Sequence, residues 1–362
     1  MNPATSKRAT RKDVAALAGT SESVVSYVVN GGPRSVAPAT RKRVLEAIER
    51  VGYYPDPTAR SLASGVSGVF GIIVPDLSNA FFASLSNAIG EVAHAESKLL
   101  LLGDSTAGAS REVEIVEEFI RRRVDGLLYV GVERRERIAQ AHAAGIPVVV
   151  LDRLPNDSPI ASVTIDNEAG AFAATEHLLN HGYTDVAIIA GPIGVSTASD
   201  RSAGWRRALS SRGVTPKAEW CVPAPFTKQG GRTAGRHLLS ETPTPRAVFA
   251  SNDQQAIGLM VAAGEQGLRI PEDLAIFAFD GTADAEFTTP ALSTVSQPLE
   301  EIARKAVELL VAPDSPSSRK ITCNFSLTIR QSCGCLAFET GIHRTHKEQG
   351  VHTSVQEDHT RC

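Results

Sequence analysis

The stretch Thr10-Arg11-Lys12-Asp13-Val14-Ala15-Ala16-Leu17-Ala18-Gly19-Thr20-Ser21, continued by Glu22-Ser23-Val24-Val25-Ser26-Tyr27-Val28-Val29-Asn30, decides the architecture of the N-terminal region. Thr10 followed by Asp13 has the form of a capping box, so a helix is predicted from Arg11. Val14, Ala15, Leu17 and Ala18 fall on one broad face, and Gly19 ends the helix. Ser21 then caps a second helix over 22–29. Its Val25, Val28 and Val29 recur at i, i+3 and i+4 and face the first helix, while Glu22, Ser23, Ser26, Tyr27 and Asn30 lie opposite. Two short helices with a tight turn between them form a helix-turn-helix unit, whose second helix is free to face a DNA groove.

A third helix follows Pro38, a residue suited to a first helical position, with Val44, Leu45, Ile48 and Val51 inward. Arg41, Lys42 and Arg43 at its start are placed for phosphates. Ala37 stands where a capping hydroxyl would serve better, a weakness of about 1 kcal/mol. Charge points the same way. Residues 1–65 hold ten Lys/Arg against five Asp/Glu, a charge of +5, whereas the whole chain carries −3, so the remainder sits at −8. A basic head on an acidic body is the footprint of a nucleic-acid-binding appendage.

Working outward, 57–65 gives two helical turns ending in Ser64-Gly65, too short to be a stable helix alone in water. From Val69 onward, apolar runs at 69–74, 99–102, 127–130, 148–151, 186–190, 248–250 and 275–279 alternate with helical segments. That alternation predicts an α/β body of parallel sheets flanked by helices. Several runs are followed by Asp76, Asp104, Asp152, Asn252 or Asp280. Ligands of open α/β sheets bind beyond the carboxyl ends of strands, and carboxylates and amides there suit a hydroxyl-rich molecule. Asp76 and Asp280 have a plainer reading as helix caps, and one of the adjacent Phe81 and Phe82 could belong to the core.

Other classes of function find little support. No apolar run is long enough to span a membrane, and the first residues lack an apolar signal core, so a cytoplasmic protein is expected. Without a leader, and with a basic headpiece, a periplasmic solute-binding protein is disfavoured. No phosphate loop and no His-Glu-x-x-His motif occurs, and nothing pairs two carboxylates at glycosidase separation, so no catalytic residue is assigned. The five cysteines are too few and too scattered for a disulfide framework. No histidine lies at zinc-ligand spacing beside Cys333-Gly334-Cys335, so reduced thiols, no metal and no cofactor are expected.

The run from Asp13 to Asn30, with Thr40-Arg41, Gly52-Tyr53-Tyr54-Pro55 and Ala59-Arg60-Ser61-Leu62-Ala63 following in register, closely resembles the headpiece of the lactose-repressor (LacI/GalR) family. The resemblance continues through Pro75-Asp76-Leu77-Ser78-Asn79-Ala80-Phe81-Phe82, Asp200-Arg201-Ser202-Ala203-Gly204-Trp205, the run from Ala250 to Gly258, and Phe279-Asp280. It implies a three-helix headpiece (1–56), a hinge helix (57–65) and a two-lobed, periplasmic-binding-protein-like body (66–334). One lobe takes in 66–162 and 296–325, the other 163–292, with crossovers near 162, 292 and 325. The polar, histidine-rich 335–362 reads as a disordered tail.

The resemblance further implies a transcription regulator, most simply a repressor. It would bind a palindromic DNA operator as a homodimer, under control of a small effector such as a sugar held between the lobes. Glu22 and Ser23 match positions that read base edges, and Ser26 and Asn30 match backbone-contacting ones. Tyr27 replaces the arginine of the lactose repressor itself, and tyrosine cannot grip guanine in bidentate fashion. Thr10, Arg34, Tyr53 and Arg60 complete the DNA set, with Leu62 as a minor-groove wedge from the hinge. The implied effector set is Asp76, Asn79, Phe81, Phe82, Asp152, Arg201, Asn252, Asp280 and Gln297.

Overall fold

The computed structural model describes residues 9–30, 34–54, 65–106, 108–130, 135–151, 160–241, 243–312 and 320–335. The hinge residues 57–64, with Arg60 and Leu62, lie outside that set, as do Asp152 and the tail beyond Cys335. Two compact units divide the chain, Met1–Ser67 and Gly68–Cys362.

The first unit is a three-helix domain of α1 (Arg11–Ala18), α2 (Glu22–Asn30) and α3 (Pro38–Val51). Thr10 and Asp13 close the capping box in both directions, and Gly19 leaves α1 in the left-handed conformation at φ 63°. Ser21 Oγ accepts from the Val24 amide at 3.3 Å, capping α2. Pro38 opens α3, and Ala37 makes no side-chain cap. Small residues fill the core: Val14, Ala15, Ala18, Val25, Val28, Val44 and Ala47. Two expected core residues are outside it. Leu17 and Leu45 are 47% and 48% exposed, and Ala47 takes the place on α3. Three short helices meeting over alanine and valine leave no room for another leucine layer.

The second unit starts with β1 (Val69–Val74), α4 (Ala80–Ala95), β2 (Leu99–Asp104), α5 (Ala109–Arg121), β3 (Gly126–Val130), α6 (Arg135–Ala143), β4 (Val148–Leu151) and β5 (Ala161–Ile165). It continues with α7 (Asn167–Asn180), β6 (Val186–Ala190), α8 (Ser196–Ser211), β7 (Cys221–Pro223), α9 (Lys228–Ser240), β8 (Ala247–Ala250), α10 (Asp253–Glu265), β9 (Ala275–Asp280) and β10 (Ser293–Ser296). The chain then forms α11 (Leu299–Val311), β11 (Lys320–Cys323) and β12 (Ser326–Thr328). Two six-stranded sheets result, ordered β11-β5-β4-β3-β1-β2 and β12-β10-β9-β8-β6-β7. Every pairing is parallel except β10 with β12.

Both faces of each sheet are covered, which is why the strands read as unbroken apolar runs. Along β6, Val186, Ile188 and Ala190 join one core cluster while Ala187 and Ile189 join another. Strand β9 alternates likewise, with Ala275, Phe277 and Phe279 on one side and Ile276 and Ala278 on the other. The chain passes between sheets after Ile165 and after Ser296, each a few residues later than the sequence placed it, and again between Cys323 and Ser326. The polar strand Ser293-Thr294-Val295-Ser296 has no apolar run to mark its ends.

Helices α7 and α8 pack on one face of the second sheet, and Gly204 sets their approach. A Cβ there would lie 2.2 Å from the Glu168 carbonyl oxygen and 2.8 Å from the Phe172 nitrogen, both backbone atoms that cannot step aside. Gly204→Ala is therefore expected to cost about 1–3 kcal/mol by overpacking. Differential scanning calorimetry of the full chain should show a lowered Tm, and an unchanged Tm would refute this account of the helix contact.

Candidate functional sites

The headpiece presents the outer side of α2 to solvent. Glu22, Ser23 and Asn30 are exposed, Ser26 and Tyr27 half-buried, and Asn30 Nδ2 donates to Ser26 Oγ at 3.2 Å. Arg34 is exposed as well. Thr10 is exposed but already engaged, its hydroxyl donating to Asp13 Oδ2 at 2.7 Å. Tyr53 is half-buried and packs against the small core. One expected phosphate contact is otherwise occupied: Arg43 Nε donates to the Ala18 carbonyl at 3.3 Å. A cation bonded to a terminal helix carbonyl complements the dipole of α1, so Arg43 ties α3 to α1. Arg41 and Lys42 remain exposed beside it.

The second unit contains a cavity of about 80 Å³ between its two sheets, at the carboxyl ends of the strands. Arg201, from the first turns of α8, lies at its polar side and is only 6% exposed. Its Nε donates to Asn167 Oδ1 at 2.9 Å, and one terminal nitrogen donates to the Ser251 carbonyl at 2.5 Å and to Asp280 Oδ1 at 3.4 Å. The guanidinium carbon stands 3.7 Å from the Phe279 ring centroid, a cation–π contact strengthened by burial.

Asp280 ends β9 at φ 116°, followed by Gly281 at φ 76°. For a non-glycine residue that backbone is costly, about 1–3 kcal/mol, and the cost recurs where a side chain must be aimed at a site. Asp280 Oδ1 also accepts from Gln297 Nε2 at 3.0 Å, and among the described residues nothing donates to its Oδ2. Burial, opposed by Arg201 and aided by the neighbouring Asp253 carboxylate, pushes the Asp280 carboxyl above its ordinary value. Asp253 is held inside by Thr282 and Thr294, its oxygens accepting from the Thr282 amide at 2.7 Å, the Thr282 hydroxyl at 2.8 Å and the Thr294 hydroxyl at 2.7 Å.

Of the residues singled out from the sequence, Asn79, Phe81, Phe82, Arg201, Asn252, Asp280 and Gln297 all line this cavity. Asn79 and Asn252 also cap α4 and α10, accepting from the Phe81 and Gln255 amides at 3.0 and 2.8 Å. Phe81 and Phe82 meet edge to face at 5.3 Å, so both reach the cavity despite being adjacent. Asp76 is not in its lining. Its Oδ1 accepts from the Ser78 amide at 2.8 Å in the turn before α4, but the cap of that helix is Asn79, so Asp76 does not fill the capping role that was its plainer reading either. Asp104 is likewise engaged by backbone, accepting from the Thr106 amide of its own loop and the Leu77 amide of the loop after β1. Sequence reasoning missed Asn167, Thr197 and Phe226, which line the cavity too. Asn167 and Thr197 carried the same signal as Asn252, a polar residue opening a helix after a strand.

Residues 10–56 match the model of the bacterial regulatory proteins of the lacI family, and 175–333 match a periplasmic-binding-protein-like domain. Catabolite control protein A of Priestia megaterium is 35% identical over 300 residues, 82% of this chain and 90% of that protein. The solved Lac repressor dimer bound to operator and the anti-inducer ONPF superposes with a TM-score of 0.82 at 27% identity, over 90% of this chain and 99% of that one. A complex of the transcriptional regulator CelR with cellobiose gives 0.68 at 28% identity, over 90% and 100%.

Proposed function

The chain belongs to the lacI family of bacterial regulatory proteins, and on that footing we propose that its cleft binds a sugar whose occupancy controls how tightly a homodimer holds a palindromic operator. It is a DNA-binding transcription regulator rather than an enzyme, and we assign it the role of a cytoplasmic repressor. The observation that carries the sugar reading is the Arg201–Asp280 pair, set beside aromatic rings at the cavity wall. A sugar offers hydroxyls that a carboxylate and a guanidinium can both engage, and C–H faces that Phe81, Phe82 or Phe226 can cover. The cellobiose held by CelR supports a saccharide of some kind here.

Glu22 and Ser23 are assigned to base edges, and Ser26, Asn30, Arg34 and Arg41 to the DNA backbone. In the hinge, Leu62 is assigned to a central base step, which only a paired and folded hinge can wedge open. An effector that changes the separation of the two hinges then shifts the population off DNA without touching the headpiece.

A thermal-shift screen of sugars, sugar phosphates and purines tests the effector class. A true effector at 100 times its Kd should stabilise the protein by about 2.7 kcal/mol. Arg201→Ala should weaken it about ten- to a hundredfold by calorimetry, through loss of charge-assisted bonds worth about 1.5–3 kcal/mol. Stabilisation by purines alone would overturn the sugar reading.

Operator binding should fall with salt by about 0.9 log units per log of salt for each phosphate neutralised. Deleting 1–65 should abolish it and leave a folded body. Leu62→Ala should reduce operator affinity and bending in gel-shift assays at unchanged effector affinity; wild-type bending in that variant would reduce 57–64 to a tether.

A further inference from the structure

Away from the cleft, four side chains from two distant parts of the chain converge. His177 and His181 stand one turn apart near the C-terminal end of α7, on the same face at i and i+4. Cys333 closes the 3-10 turn Gln331–Cys333, and Cys335 follows across Gly334. Gly334 has φ 97°, and this left-handed residue turns the chain so that both thiols face the helix. The Nε2 of His177 lies 3.2 Å from Cys333 Sγ and 3.6 Å from Cys335 Sγ, and the Nε2 of His181 lies 3.1 Å from Cys335 Sγ. One donor atom from each of the four falls within 4.8 Å of all the others.

We propose that His177, His181, Cys333 and Cys335 form a tetrahedral zinc site that staples the C-terminal segment to α7. Zinc with bonds of about 2.3 Å to sulfur and about 2.0–2.1 Å to nitrogen separates its ligand atoms by about 3.3–3.8 Å. The short contacts need to open by a few tenths of an ångström, and the widest separation, within 4.8 Å, to close by about 1 Å, to reach that geometry. Thiol–imidazole hydrogen bonds would account for the two short pairs, His177–Cys333 and His181–Cys335, but not for the two pairs meeting each other so that all four donors converge. Mixed thiolate and imidazole ligands select zinc over hard cations such as magnesium or calcium.

Two thiolates cancel the charge of the ion, so a neutral cluster can sit where Cys333 is buried and the other three are half-buried. Ser293 Oγ, 3.2 Å from Cys333 Sγ, is positioned to donate to that thiolate. Asn167, at the other end of α7, lines the cleft, and a helical rise of 1.5 Å per residue puts His177 and His181 about 15 and 21 Å from it. The ion would therefore fix one end of α7 and lie away from the cleft. What it secures is β12, which is held to β10 by three residue pairs.

Untagged full-length protein, purified from zinc-supplemented cells without chelator, should carry about one zinc per chain by plasma mass spectrometry. Stripped and reduced, it should take up a single equivalent of cobalt(II) with thiolate-to-metal charge-transfer and tetrahedral ligand-field absorption, both bleached by zinc. Cys335→Ser and His181→Ala should lose the metal. Cys335→His, which restores a fourth ligand, should regain cobalt absorption with a weaker charge-transfer band. Metal retained at wild-type stoichiometry in the Ser and Ala variants, as binding to histidines beyond residue 335 would give, overturns the proposal. So does wild-type cobalt binding without charge transfer.

Discussion

A guanidinium taken out of water must be met by acceptors on every side it presents, and the second sheet is organised around that demand. Arg201 is met by Asn167 at the start of α7, by the Ser251 carbonyl after β8, by Asp280 at the end of β9 and by the face of Phe279. The partners come from three elements, the helix that follows β5 of the first sheet and the ends of β8 and β9 of the second, so the charge fixes the relative positions of those elements. The cost of leaving such a charge unpaired, about 3–5 kcal/mol, exceeds the cost of the backbone strain at Asp280. Asp280 passes the constraint on through Gln297, which sits where the chain leaves the second sheet for α11. The cleft is thus shaped by a requirement of burial before any ligand arrives.

The headpiece obeys a different economy. Its core is alanine and valine, and its order comes from local devices: a closed capping box, two left-handed glycines and an arginine spanning from α3 to the last carbonyl of α1. Such a unit contributes a surface more than a store of stability. That suits a domain whose binding free energy comes largely from phosphates and released counterions.

Most of the architecture was legible in the sequence because its signals are local. The capping box, the valine spacing of α2 and the two-sided apolar runs each lie within one short window. What escaped depended on neighbours far away in sequence. Leu17 and Leu45 satisfy helical periodicity, yet a core of three short helices has no volume for them. Arg43 reads as a surface cation until Ala18 is placed beside it. Strands β10 and β12 are short and rich in serine and threonine, with no run of their own to announce them. Asp76 and Asp280 look alike as polar residues after strands, and only the direction of the backbone separates a residue folded into its own turn from one aimed at the cavity. The histidine–cysteine cluster was hidden for the plainest reason: its halves lie some 150 residues apart.

The two sheets are each finished by a strand from the end of the described chain, β11 at the edge of the first and β12 at the edge of the second. A ribosome making this protein must therefore emit almost the whole body before either sheet can close. Until Lys320 and Ser326 emerge, β5 and β10 present bare hydrogen-bonding edges to other nascent chains. The interleaving that lets the lobes share three crossings also makes them a single cooperative product of synthesis. Neither lobe exists as a continuous segment that could be completed, inherited or exchanged without the other.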